Sequence, residues 1–149
     1  MKTNRRLKIL LADDDKGDQL LFKEAISELQ INTVIQILDS GEELMEYLQK
    51  KDAVMPHFIF LDLNMPGKSG IECLTEIRNI KKFDTIAIVI YSTSSYKIDF
   101  EETFRLGANR YVVKPNDFHS LKKTLEKAIS TTDPSHHTSY NMRDYVIRM

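Results

Sequence analysis

Asp13 and Asp14 close the apolar run Leu7–Ala12, and Asp62 closes Phe58–Leu61. Ser92 follows Ile86–Tyr91, and Lys114-Pro115 follows Tyr111–Val113. A carboxylate at the end of an apolar run loses much of its water and needs a compensating partner. Carboxylates brought close together repel one another, and a hard divalent cation relieves them. Mg²⁺ takes one or two carboxylates, some waters and phosphate oxygens. A phosphoryl group in flight spreads charge over its equatorial oxygens, which a lysine ammonium and a serine hydroxyl can neutralise. The turn Leu63-Asn64-Met65-Pro66-Gly67 leaves the Asp62 carboxylate at its strand tip. The set points to a metal-assisted phosphoryl site with Asp62 as nucleophile, giving an aspartyl phosphate. Singly, each residue has an ordinary explanation as a solvated or capping side chain. Four loaded strand ends do not agree by accident.

Only parallel strands would bring those ends together. The expected strands are Leu7–Ala12, Thr33–Leu38, His57–Asp62, Ile86–Tyr91 and Asn109–Lys114. Ile59, Leu61, Ile88, Val89 and Ile90 show little alternation, as in strands buried on both faces. Helical periods lie between them, the βαβα pattern of a parallel sheet covered on both sides. The first helix is expected from Gly17 to Gln30, with Leu20, Leu21, Ala25, Ile26 and Leu29 inward. Ser40/Glu43 and Ser69/Glu72 have capping-box spacing and open the second and third. The fourth ends near Leu106, with Gly107 as a left-handed cap. Phe118, Leu121, Leu125, Ala128 and Ile129 form the stripe of the fifth. Open α/β folds place ligands at the carboxyl edge of such a sheet.

The 149 residues suit one domain. A formal net charge of −1 argues against a broad nucleic-acid or membrane-surface footprint. No apolar run approaches the roughly 20 residues of a spanning helix. The basic start gives way to Asp13 too early for a secretory signal. The single cysteine, Cys73, fits a reducing, cytoplasmic setting and reads as an inert core thiol.

On these residues the chain resembles the receiver domain of two-component response regulators. Ile9-Leu10-Leu11-Ala12-Asp13-Asp14 resembles the family's acidic-pair strand, and Leu61-Asp62-Leu63-Asn64-Met65-Pro66 with Gly70 its phosphoacceptor segment. Ser92 and Tyr111-Val112-Val113-Lys114-Pro115 resemble its remaining signatures. The resemblance implies a flavodoxin-like (βα)5 fold, a doubly wound parallel five-stranded sheet of order 2-1-3-4-5. It implies that Asp62 accepts a phosphoryl group from a sensor histidine kinase or histidine phosphotransfer protein. Asp14, Asp62 and the Asn64 main-chain carbonyl would bind Mg²⁺, with Asp13 acting mainly through bound water. Lys114 would pair with a phosphoryl oxygen. Ser92 and Tyr111 would form the switch, Tyr111 turning inward behind Ser92. The Lys114–Pro115 peptide is expected cis by the same resemblance. Ser92 stands where threonine is commoner, Thr93 where many relatives carry alanine, and Asn64 and Ser94 at positions that tune dephosphorylation.

Residues 7–130 are expected to be the receiver and 131–149 a tail. The tail is too short for a DNA-binding module, so output would pass through a downstream protein target, phosphorelay or self-association. Thr131 to His137 reads as a polar linker. Met142, Tyr145, Val146 and Met149 then fall at helical spacing, a short segment that docks or stays loose. Two other readings compete. A phosphatase working through an aspartyl phosphate would want a second aspartate where Asn64 stands. A receiver that binds partners without phosphorylation would not need every functional group kept. His57, His119, His136 and His137 read as solvated, and Arg5-Arg6-Leu7-Lys8 as a strand entrance.

Overall fold

The computed structural model describes residues 6–133 and 141–148. β1 (Leu7–Ala12), β2 (Thr33–Leu38), β3 (Phe58–Leu61), β4 (Ala87–Ser92) and β5 (Arg110–Val113) alternate with helices. The helices are α1 (Lys16–Ser27), α2 (Gly41–Gln49), α3 (Gly70–Arg78), α4 (Lys97–Arg105) and α5 (Phe118–Thr131). A 3₁₀ turn at Lys81–Phe83 precedes β4. A short α6 (Met142–Tyr145) and a two-residue β6 (Val146–Ile147) follow α5. The sheet order is 2-1-3-4-5-6, and every pairing is parallel. The flavodoxin-like order 2-1-3-4-5 is therefore present, with β6 added beyond β5.

Strand side chains divide between two cores. Leu10, Ile59, Ile88 and Tyr111 face α2, α3 and α4. Ile9, Phe58, Phe60, Val89 and Val112 face α1 and α5. A strand buried on both faces reads as an unbroken apolar run, which is why these strands are legible. Caps fix the helix starts. Ser69 and Glu72 form the full reciprocal capping box of α3. Ser40 caps α2 alone, because the Glu43 carboxylate accepts from the Asp39 N–H instead. Gly107 ends α4 at φ 103°, a conformation that costs glycine little.

Three further expectations are corrected. Leu20 and Leu21 are 59% and 43% exposed, while Gln19 and Phe22 face inward. The Gln19 amide donates to the Asp13 carbonyl at 2.6 Å and to Asp39 Oδ1 at 2.7 Å, and Phe22 packs edge-on to Phe60 and Tyr91. Those contacts set the rotation of α1. The Lys114–Pro115 peptide is trans, since the described residues contain no cis peptide bond. The X–Pro preference is only about 0.5–1 kcal/mol, too little for sequence to decide. His57 is half-buried, and its Nδ1 accepts the Lys8 N–H at 3.0 Å, tying β3 to β1. Arg5, His136, His137, Met149 and most of the expected linker lie outside the described residues.

Candidate functional site

Because the strands are parallel, their carboxyl ends share one edge, and the backbone ladder continues a step past three of them. The Asp62 N–H donates to the Ala12 carbonyl at 3.0 Å, the Asp13 N–H to Leu38 at 3.1 Å, and the Lys114 N–H to Ser92 at 2.8 Å. The candidate side chains thus leave from pinned backbone, although Asp62 and Lys114 lie just beyond the strands themselves.

Asp13 is fully buried, Asp62 is 8% exposed and Asp14 is exposed. One carboxylate oxygen from each lies within 4.8 Å of those of the other two. Lys114 Nζ donates to Asp13 Oδ2 at 2.8 Å and lies 3.7 Å from Asp62 Oδ2. It also stands 4.8 Å above the Tyr91 ring centroid. Asp13 Oδ1 accepts the Asp15 N–H at 2.9 Å, and Asp62 Oδ1 accepts the Asn64 N–H at 3.3 Å. Asn64 is exposed in the turn. Ser92 is fully buried, and its Oγ accepts the Ser94 N–H at 3.1 Å. Tyr111 is buried facing α4, and its hydroxyl donates to the Ser94 carbonyl at 2.9 Å.

Burial pushes the Asp62 carboxyl up to about 6; Lys114 opposes this, and the charges of Asp13 and Asp14 reinforce it. Burial likewise raises Asp13, against its bonds to Lys114 and Asp15. Burial alone would lower Lys114, but hydrogen bonds to Asp13 and Asp18 outweigh it and hold the ammonium above its usual range. The three carboxylates are hard oxygen donors of like charge, crowded together, and Asp13 and Asp62 are short of water. That donor set suits a divalent cation.

Two contributors escaped the sequence reading. Asp18, in the first turn of α1, accepts from Lys114 Nζ at 2.8 Å. Asp15 caps α1 by accepting the Asp18 N–H at 2.9 Å, which fixes the first turn that carries Asp18. The only sequence signal is the D-x-x-D spacing after the acidic pair. Cys73 is buried and its thiol is pushed up to about 12 by burial, so it stays protonated.

A parallel sheet of this order, with an acidic cluster and a lysine at its carboxyl edge, defines a class of phosphoacceptor signalling domains. The chain matches the response regulator receiver domain over residues 9–126 and belongs to that family. It is 32% identical over 122 residues to the response regulator Rcp1 of Synechocystis sp., covering 79% of this chain and 83% of that protein. Chemotaxis protein CheY-3 of Vibrio cholerae is 30% identical over 124 residues, covering 83% and 92%. The Mn²⁺-bound form of Rcp1 superposes with a TM-score of 0.77 at 31% identity, covering 84% of this chain and 93% of that one. The phosphorylated cyanobacterial phytochrome response regulator RcpA superposes with a TM-score of 0.79 at 31% identity, covering 88% and 100%. No helix among the described residues is long and apolar enough to cross a membrane.

Proposed function

We propose that the chain is a phosphorylation switch in which Asp62 accepts a phosphoryl group from the phosphohistidine of a sensor kinase or histidine phosphotransfer protein. The observation that carries this reading is the Asp13, Asp14, Asp62 cluster with Lys114 Nζ bonded into it. A carboxylate oxygen of Asp62 attacks phosphorus, the P–N bond breaks, and the imidazole leaves with its electron pair and takes up a proton. Mg²⁺, held by Asp14, Asp62 and the Asn64 main-chain carbonyl, with Asp13 mainly through water, would neutralise charge on the transferring group. Lys114 then exchanges a carboxylate partner for a phosphoryl oxygen. The Ser92 hydroxyl donates to another phosphoryl oxygen, and the Ser94 backbone and Tyr111, bonded to each other and to Ser92, follow it. Tyr111, buried against α4, links the site to the α4–β5 region and to the segment docked on it, through which a downstream protein or a second copy reads the state.

Residues 7–130 would form this receiver unit, with 131–149 attached to it, and a cytoplasmic setting suits a histidine-kinase donor. Incubation with acetyl phosphate and Mg²⁺, followed by intact-mass analysis, tests the reading. A mass gain of one phosphoryl group is expected, absent without Mg²⁺ and absent in Asp62→Asn. A gain that persists in Asp62→Asn would overturn it.

A further inference from the structure

The segment that follows the receiver unit is seated on the β5 edge of the sheet. Val146 lies opposite Tyr111 and Ile147 opposite Val112 in the parallel pairing of β6 with β5. Tyr145 is fully buried, with its hydroxyl 2.6 Å from Thr103 Oγ1 of α4. Its ring meets Phe104 edge-on at 5.0 Å. Arg110 of β5 donates to the Asp144 carbonyl at 2.7 Å. A four-residue helix and a two-residue strand do not persist alone, so the segment is ordered by the surface that it covers.

That surface includes Tyr111. Its ring lies between Phe100 at 4.7 Å and Tyr145 at 6.4 Å, with no exposed area. The Tyr111 hydroxyl donates to the Ser94 carbonyl, and the Ser94 N–H donates to Ser92 Oγ. A second route runs through α4: Thr103, the partner of Tyr145, bonds the Asp99 carbonyl at 2.8 Å, and the Asp99 carboxylate accepts from Ser94 Oγ. Packed groups therefore run without a gap from Ser92, at the carboxyl edge, to Tyr145.

We propose that Asn141–Arg148 is a strap, acting within the same chain, whose docking is coupled to phosphoryl occupancy at Asp62. Docked, it closes the sheet edge beside Tyr111 and holds that ring inward. For the Tyr111 ring to swing away from Phe100, the Tyr145 ring packed beside it must give way. The strap therefore favours the arrangement in which Ser92 and Tyr111 engage the occupied site. Linkage makes the effect reciprocal, so a phosphoryl group at Asp62 tightens the strap. The sign rests on the phosphoacceptor reading above.

Two readouts test this. The first is the rate of mass gain with acetyl phosphate and Mg²⁺ in wild type, Tyr145→Ala and Tyr145→Phe. The second is amide hydrogen exchange across 141–148 in wild type with and without the phosphoryl group. Coupling of ordinary size predicts phosphorylation about fivefold or more slower in Tyr145→Ala, a smaller loss in Tyr145→Phe, and strap exchange slowed about fivefold or more on phosphorylation. Strap exchange unchanged by phosphorylation overturns the coupling even if Tyr145→Ala folds poorly. So does an equal rate in a well-folded Tyr145→Ala. A wild type that takes up no phosphoryl group overturns the phosphoacceptor reading and the coupling with it.

Discussion

Gly70 faces the backbone carbonyl of Asp62 so closely that a β-carbon there would sit far inside van der Waals contact with that oxygen and with Leu63 Cα. The first turn of α3 thus presses on the backbone that presents the central carboxylate, and the Gly70 N–H donates to the Leu63 carbonyl at 3.0 Å. Because the clash is with backbone, rotamer changes cannot relieve it. Gly70→Ala is expected to cost about 1–3 kcal/mol of stability. It should also slow acetyl-phosphate labelling of the folded fraction, since Asp62 is displaced. Denaturant unfolding with mass-detected labelling reads both, and a variant labelled at the wild-type rate would show that Asp62 is held by β3 alone.

Asp62 itself opposes folding when ionised. Its carboxyl is raised from 3.8 to about 6 in the folded protein, so the folded state binds its proton more tightly than the unfolded chain. The penalty is fully present above about pH 6, shrinks as pH falls toward 4, and is absent below that. Asp62→Asn removes it. In metal-free buffer the variant should be more stable than wild type at neutral pH, by up to about 3 kcal/mol at roughly 1.4 kcal/mol per pH unit. The advantage should fade on acidification to about pH 4.5. Equal stability across that range would mean that Lys114 already compensates the charge.

How far sequence reaches is seen by comparing Asp62 with Asp18. Asp62 is legible because a charge terminating an apolar parallel strand must have a reason, and strand order then carries it to Asp13 and Lys114. Asp18 is illegible because it reaches Lys114 across 96 residues, through a helix rotation set by Gln19 and Phe22. Leu20 and Leu21 misled for the same cause: apolar period alone cannot weigh a buried glutamine amide against a leucine. β6 escapes because two residues carry no period, and its pairing depends on Tyr145 finding Thr103. Buried continuous strands speak locally; elements ordered by a surface do not.

Lys114 neutralises a buried carboxylate, and this gives its removal a distinctive signature. Its ammonium is 2.8 Å from Asp13, whose side chain has no exposed area. Lys114→Met keeps much of the stem but strands that charge, at an expected cost of about 3–5 kcal/mol. The loss should shrink at low pH, where Asp13, already raised by burial, takes up a proton. It should also shrink in Mg²⁺. Thermal melts across pH, with and without Mg²⁺, check both. A loss indifferent to pH and cation would place the role of Lys114 in packing against Tyr91.

Divalent cation should stabilise the wild type by mass action, because folding alone assembles the three carboxylates. A cation at ten times its dissociation constant adds about 1.4 kcal/mol, rising by the same amount for each further tenfold. Asp14 is the informative position to change. It is exposed, so Asp14→Asn costs the apo fold little, whereas changing Asp13 would also break its bond to Lys114. The expected result is an apo melting temperature near wild type and a strongly reduced rise with Mg²⁺. Mn²⁺ should behave similarly, since carboxylate and carbonyl oxygens suit both ions. Raising ionic strength with a monovalent salt separates site binding from screening, because screening would stabilise wild type and variant alike. An Asp14→Asn protein that gains as much from Mg²⁺ as wild type would remove the cation from this cluster.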